Sequence, residues 1–145
     1  MKVLAVSTSA ALGVKKENQP EITLIRDFGA AGDAHAGLDP RRQVSLLAWE
    51  SIELMAGRGL EPAPGDFAEN ITTEGLELHT LPLGAILKLG PSARLEVSQI
   101  GKTCHHGCAV KTILGDCIMP RRGIFGRVVS PGPIRPGDAI EVEKP

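Results

Sequence analysis

Tyrosine is missing from the 145 residues, tryptophan occurs once and phenylalanine three times, so the core has to be aliphatic. Charge of one sign is missing too. With 16 basic against 17 acidic side chains, there is no overall electrostatic case for nucleic acid or an anionic membrane as partner, and only a local basic pocket stays compatible with the balance. No segment approaches the roughly 18 apolar residues of a membrane span. The opening Met1–Ser9 resembles a short signal, but its apolar run is brief and fits a first strand equally well, so a cytoplasmic location is expected. Cysteine is scarce, and the odd number of three argues against a complete disulfide framework.

What is present is punctuation. The 17 Gly and 11 Pro imply many tight connections between short elements in one domain spanning residues 1–145, a size that can fold without disulfides or a structural metal. Alternating or β-branched runs at 2–8, 22–28, 86–89, 94–100, 124–129 and 139–143 predict strands. Arg94–Ser98 and Ile140–Glu143 have period two, so each should bury one face and wet the other, as antiparallel strands do. Helices are expected at about 48–57 and about 105–114, each closed by glycine. Residues 9–21, with Lys15 and Lys16, read as a surface loop, and Glu61–Asp66 reads as another. Strands that do not alternate with helices point to a mainly β fold, a closed or barrel-like sheet, rather than a doubly wound one.

Chemistry concentrates in three stretches. In the first, Gly101-Lys102-Thr103-Cys104-His105-His106-Gly107-Cys108 sets a thiol where a strand passes into the expected helix. Free N–H groups at a helix start, with Lys102 or a protonated His105 nearby, would favour the Cys104 thiolate. Cys108, four residues on, would share its face as a resolving thiol, and Cys117 follows the Gly115-Asp116 turn. Ordinary burial is the competing reading, most of all for Cys117 beside Ile118 and Met119. So is zinc: Cys104, Cys108, Cys117 and His105 could make a tetrahedral site, although no second paired-cysteine knuckle supports it.

The second stretch, Gly29-Ala30-Ala31-Gly32-Asp33-Ala34-His35-Ala36-Gly37 followed by Arg41-Arg42-Gln43, would suit an oxyanion, because glycines admit close approach and an arginine fork binds phosphate. A glycine-rich turn with solvated arginines is the alternative, above all for Arg41 behind Pro40. His35 could be a base or ligand or a structural hydrogen-bonding residue. Glu69-Asn70 precedes another strand and could cap turns or line the pocket, structural use being the safer assumption for Glu69. In the third stretch, Arg121 and Arg122 add positive charge beside the cysteines, or form a solvated hairpin tip.

Taken in order, Gly32-Asp33-Ala34-His35-Ala36-Gly37, Arg42-Gln43-Val44-Ser45-Leu46, Glu69-Asn70-Ile71, Leu81-Pro82-Leu83-Gly84, Gly101-Lys102-Thr103-Cys104, Gly126-Arg127-Val128 and Gly137-Asp138 resemble the MOSC domain, the C-terminal domain of molybdenum cofactor sulfurases. The resemblance implies a β-barrel and a cysteine, here Cys104, that carries sulfur as a persulfide or contacts molybdenum. It also implies that His35, Arg42, Asn70, Lys102, Arg121 and Arg122 surround the anionic phosphate of a molybdopterin. A polarisable thiolate suits either role. These residues contain no pyridoxal-phosphate desulfurase domain, so the expected partners are a sulfur donor such as a cysteine desulfurase, or enzymes of molybdenum cofactor biosynthesis. Two alternatives stay open: a zinc-binding interaction module of that biosynthesis, and a molybdenum-dependent reductase of N-hydroxylated compounds fed by a separate electron donor.

Overall fold

A computed structural model describes residues 1–12, 14–54, 61–101 and 123–144. Eleven strands are found among them: β1 Lys2–Thr8, β2 Glu17–Gln19, β3 Ile22–Ile25, β4 Gly29–Ala30, β5 Val44–Ala48, β6 Ile71–Glu74, β7 Ile86–Leu89, β8 Ala93–Ile100, β9 Ile124–Ser130, β10 Gly132–Ile134 and β11 Ile140–Lys144. One short helix, α1 Trp49–Glu53, follows β5 directly, and a single 3-10 turn covers Leu78–Thr80. No helix among the described residues is long and apolar enough to cross a membrane.

Eight strands form one mixed sheet in the order β11-β7-β8-β9-β5-β6-β1-β2, and β10-β3-β4 make a smaller one. Only β5 and β6 run parallel. The mainly β expectation holds, whereas a closed barrel does not follow from the pairing. Between the start of β1 and the segment before β11 there is one bridge, Lys2 to Ala139, flanked by hydrogen bonds from Val3 N–H to Asp138 O (2.8 Å) and from Gly137 N–H to Val3 O (2.7 Å). No strand pairing joins β1 to β11, so the eight-stranded sheet keeps its edges.

Alternation decides what the sheet buries. Val44, Leu46, Ile71, Leu87, Leu89, Leu95, Val97, Ile124 and Val128 point to one side and fuse into a single aliphatic core with Val3 and Val6 of β1. Each fully buried Leu or Ile side chain there contributes about 1.5–3 kcal/mol. The residues between them, Ser45 and Leu47 of β5, Thr72 of β6 and Phe125 of β9, lie on the opposite side. Over β5 and β6 that second face is covered as well: α1 packs on both strands, and Leu47, Ile52, Phe67 and Phe125 are buried without belonging to the main core.

Double burial explains a strand that periodicity does not reveal. All five residues of β5 are buried, so Val44–Ala48 has no polar alternation to mark it as a strand. The helix expected at 48–57 is seen as Trp49–Glu53, and the one expected at 105–114 lies outside the described residues. The run 22–28 is a strand only to Ile25, because the chain turns at Asp27 (φ 52°) to enter β4. The largest correction concerns 9–21. The stretch contains β2, and its Lys16 is buried rather than solvated.

Candidate functional site

The three cysteines all belong to the connection between β8 and β9. Lys102, Cys104, His105, Cys108, Cys117, Arg121 and Arg122 lie outside the described residues, but the mouth of that connection is well defined. Gly101 N–H donates to Gly123 O at 2.7 Å, so the chain leaves and returns at one point. Arg42 is fastened beside it. Its Nε donates to Gln99 Oε1 (3.1 Å) and its guanidinium lies 5.5 Å from the centre of the Phe125 ring on the second face of the sheet. Gln99 in turn donates from Nε2 to Gly101 O (2.9 Å). Among the described residues no other hydrogen bond engages this half-buried guanidinium. Arg41, by contrast, is exposed in its turn, as its place after Pro40 suggested.

A second group gathers where β1 ends. Lys16 Nζ lies 2.8 Å from Asp33 Oδ1, 3.0 Å from Ser9 Oγ and 3.1 Å from His35 Nδ1. Both charged side chains of the Lys16–Asp33 pair have no solvent exposure. Asp33 also accepts the backbone N–H of Ser9 (3.0 Å) and of His35 (3.1 Å). Burial alone would raise the Asp33 carboxyl, but His35, the Lys16 ammonium and the Ser9 N–H outweigh it and hold the group well below the usual carboxylate range. His35 keeps part of its ring in solvent.

The loop before β6 joins these elements. Lys16 N–H donates to Gly65 O at 2.9 Å, and a Cβ at position 65 would sit 2.3 Å from the Lys16 carbonyl oxygen, so only glycine fits this contact. Glu69, fully buried, accepts Gly65 N–H (3.1 Å), Phe67 N–H (3.2 Å) and the Thr72 hydroxyl (2.8 Å). Burial dominates these contacts and pushes its carboxyl up to about 7. Asn70 ties three strands together. Its Oδ1 accepts Ser45 N–H at 3.0 Å, its Nδ2 donates to Ser7 O at 3.1 Å, and its own N–H reaches Ser45 Oγ at 2.9 Å. Expected as a cofactor contact, Asn70 is 1% exposed and its amide is engaged inside the fold.

His35, Lys16, Asp33, Glu69 and Asn70 therefore form one hydrogen-bonded wall from the end of β1 to the start of β6, and Arg42 stands apart from it at the mouth of the cysteine connection. No direct contact joins His35 to Arg42 among the described residues. In the glycine-rich stretch, Gly29 is small for an internal reason, since a Cβ there would lie 2.6 Å from Gln43 O. A hollow of about 440 Å³ lies elsewhere, against α1, and its ionisable lining is Glu50, Glu77 and His79. Two acidic side chains make it a poor receptacle for an anion. Sequence reasoning missed Lys16 and Gln99; Lys16 sits in a polar run without period, and nothing local marks it as the partner of an aspartate 17 residues on.

A model of the MOSC domain matches residues 31–141, a span that takes in Asp33, His35, Arg42, Glu69, Asn70 and the whole cysteine connection. The chain belongs to the MOSC domain family. Among solved structures, this MOSC domain is similar to the YuaD protein from Bacillus subtilis, at 22% identity and a TM-score of 0.83 over 99% of this chain and 96% of that one. It is also similar to YiiM from Geobacillus stearothermophilus (21% identity, TM-score 0.76, 99% of this chain and 75% of that one) and to YiiM from Escherichia coli (20%, 0.66, 100% and 71%). At such identities the similarity establishes the fold and leaves the chemistry to the residues. No curated protein matches by sequence.

Proposed function

We propose that this MOSC domain presents Cys104 as a sulfur-carrying or molybdenum-ligating thiol beside an anion-binding arginine, Arg42. The observation that carries the reading is the fastening of Arg42, through Gln99 and Phe125, to the point where the cysteine connection leaves β8 and rejoins β9. A cation held there would favour ionised thiol in the connection and would bind the phosphate of a pterin cofactor. Lys102, Arg121 and Arg122 would add to the same charge.

The donor chemistry fits a molybdenum cofactor in one respect. The soft ligand would be Cys104, and Arg42 would hold the anionic part. When bound, that cofactor would supply oxygen- or sulfur-atom transfer at molybdenum. In the carrier role no cofactor is needed. The Cys104 thiolate attacks the terminal sulfur of a donor persulfide, the new S–S bond forms, and the donor thiolate leaves with the electron pair, so no outside oxidant or reductant enters. A cysteine desulfurase, or an enzyme of molybdenum cofactor biosynthesis, would be the partner, in the cytoplasm.

The test is intact-mass spectrometry after incubation with a desulfurase and cysteine, with molybdenum and pterin analysis of protein purified from its native host. A gain of one sulfur lost in Cys104→Ser, or retained molybdenum lost in the same variant, supports the reading. Absence of both overturns it.

A further inference from the structure

The wall contains a device that the anion-binding reading does not require. An ammonium group has donors and no lone pair, so the 3.1 Å contact between Lys16 Nζ and His35 Nδ1 has one polarity: Lys16 donates and Nδ1 accepts. The charge on Lys16 is secured by Asp33, 2.8 Å away and equally buried. With its Nδ1 lone pair engaged, the neutral imidazole carries its proton on Nε2. Asp33 Oδ2 lies 3.7 Å from Nδ1, beyond hydrogen-bond length, and takes the His35 backbone N–H at 3.1 Å, so the hold of His35 on this carboxylate runs through its backbone donor and leaves Nδ1 to Lys16. Among the described residues Nε2 has no hydrogen-bond partner, and the ring is 29% exposed.

We infer that Lys16 is a positioning residue that locks His35 as a neutral Nε2–H donor, and that the atom it receives is an oxygen of an oxyanion, such as a phosphate or metal-oxo group. The inference rests on the proposed anion-binding role for its ligand class, although the tautomer does not. It removes two roles open to a lone histidine. A ring whose Nδ1 is committed to an ammonium and whose Nε2 carries the proton has no free lone pair, so His35 is neither a metal ligand nor a general base in this state. The fold spends a fully buried ion pair to set this one proton, and a solvated loop histidine needs no such backing.

Long-range proton–nitrogen correlation spectra of the whole protein at mildly alkaline pH read the tautomer directly. The Nε2–H pattern is expected for His35, and an Nδ1–H pattern, or the mixture typical of free imidazole, overturns the lock. Oxyanion titrations with inorganic phosphate and with molybdate, followed at the His35 nitrogens, test the ligand, and the two arms separate a phosphate group from a metal-oxo group. The better-bound oxyanion should perturb Nε2, and silence to both overturns the ligand assignment. Because Lys16→Met exposes the fold to an unpaired buried carboxylate, the variants of choice lie at the half-exposed end. His35→Gln, whose amide N–H reaches the Nε2 position, should keep oxyanion affinity within about threefold, and His35→Asn should lose about tenfold, the worth of one charge-assisted hydrogen bond. Equal affinities for the two variants would remove the role. An intact lock with no sulfur or molybdenum on Cys104 would fault the proposed function and spare the tautomer.

Discussion

The two faces of the eight-stranded sheet are built from opposite materials: one is dry throughout, and the other is buried around β5 and β6 but wet along β7 and β8, where Lys88, Arg94 and Glu96 meet solvent. On the inner side a cluster of Val, Leu, Ile and Ala packs without a polar atom. Around the outer side and the wall that continues it, Ser7, Ser9, Lys16, Asp33, Ser45, Glu69, Asn70 and Thr72 are all buried, and each is held by a hydrogen bond. Aliphatic packing tolerates substitution in proportion to the volume lost, because neighbours relax into part of the gap. A buried polar network tolerates much less, since removing one partner leaves another desolvated. An apolar wall would cost nothing in desolvation, so a buried ion pair is not what a fold selected for stability alone requires.

The comparison is broken or sharpened first by Lys16→Met. The substitution keeps the length and apolar stem of the side chain and leaves Asp33 as an unpaired buried charge, for an expected loss of about 3–5 kcal/mol in urea unfolding. Adding Asp33→Asn should recover a large part of that loss, and additive losses in the double variant would mean that the pair is not a unit. On the inner face Leu46→Ala should cost about 2–5 kcal/mol by cavity formation alone. A second inner substitution more than about 10 Å away should add to it simply. Coupling in the wall and additivity in the core are the contrast to measure.

How much of this was legible in sequence follows the same divide. Val97, Leu95, Leu87 and Leu89 announce their face by alternating with Glu96, Arg94 and Lys88, and the strands that carry them fall within a residue of their expected places. Val44–Ala48 escaped because both its sides are buried, and β10 because its three residues include Gly132 and Pro133, types depleted inside strands. The wall was half visible. Asp33, His35, Glu69 and Asn70 stood out as polar residues in ordered motifs, but a buried lysine looks the same as a solvated one until its partner is placed across the fold. Lys16 and Asp33 are brought together by the return of the chain from β4 over the end of β1, a long-range event that no local pattern encodes.

Acidity supplies a third, smaller test, and the two carboxylates of the wall respond with opposite sign. Glu69 has its folded-state value raised to about 7, so its contribution to stability is full below the ordinary glutamate value of 4.5 and is lost as pH rises from there through about 7. The whole effect is on the order of 3 kcal/mol. Asp33 has its value lowered, so its contribution is full above the ordinary aspartate value of 3.8 and is lost as pH falls below it. Chemical unfolding at a series of pH values should therefore show a positive slope on the acid side and a negative one between about 4.5 and 7. In Glu69→Gln the negative slope should flatten whatever happens to absolute stability, and a slope unchanged by that substitution would mean that Glu69 stays ionised throughout.

The smallest effect on stability belongs to Arg42, and its smallness is informative. Among the described residues its guanidinium meets one ring and one amide at the second face, so Arg42→Gln should cost only about 0.5–1 kcal/mol, the range of a partly exposed cation–π contact. If Arg42 serves the cysteines, the loss should fall elsewhere: Cys104, expected to alkylate faster than Cys117 at neutral pH, should slow severalfold in the variant while Cys117 keeps its rate. Arg42→Lys should restore part of the rate, because the charge returns without the fork that reaches Gln99. The wall residues predict the reverse pattern, with large losses of stability and little change in thiol reactivity. A molecule in which Arg42→Gln unfolds the chain and leaves both thiols equally reactive would have its functional surface somewhere other than the mouth of the β8–β9 connection.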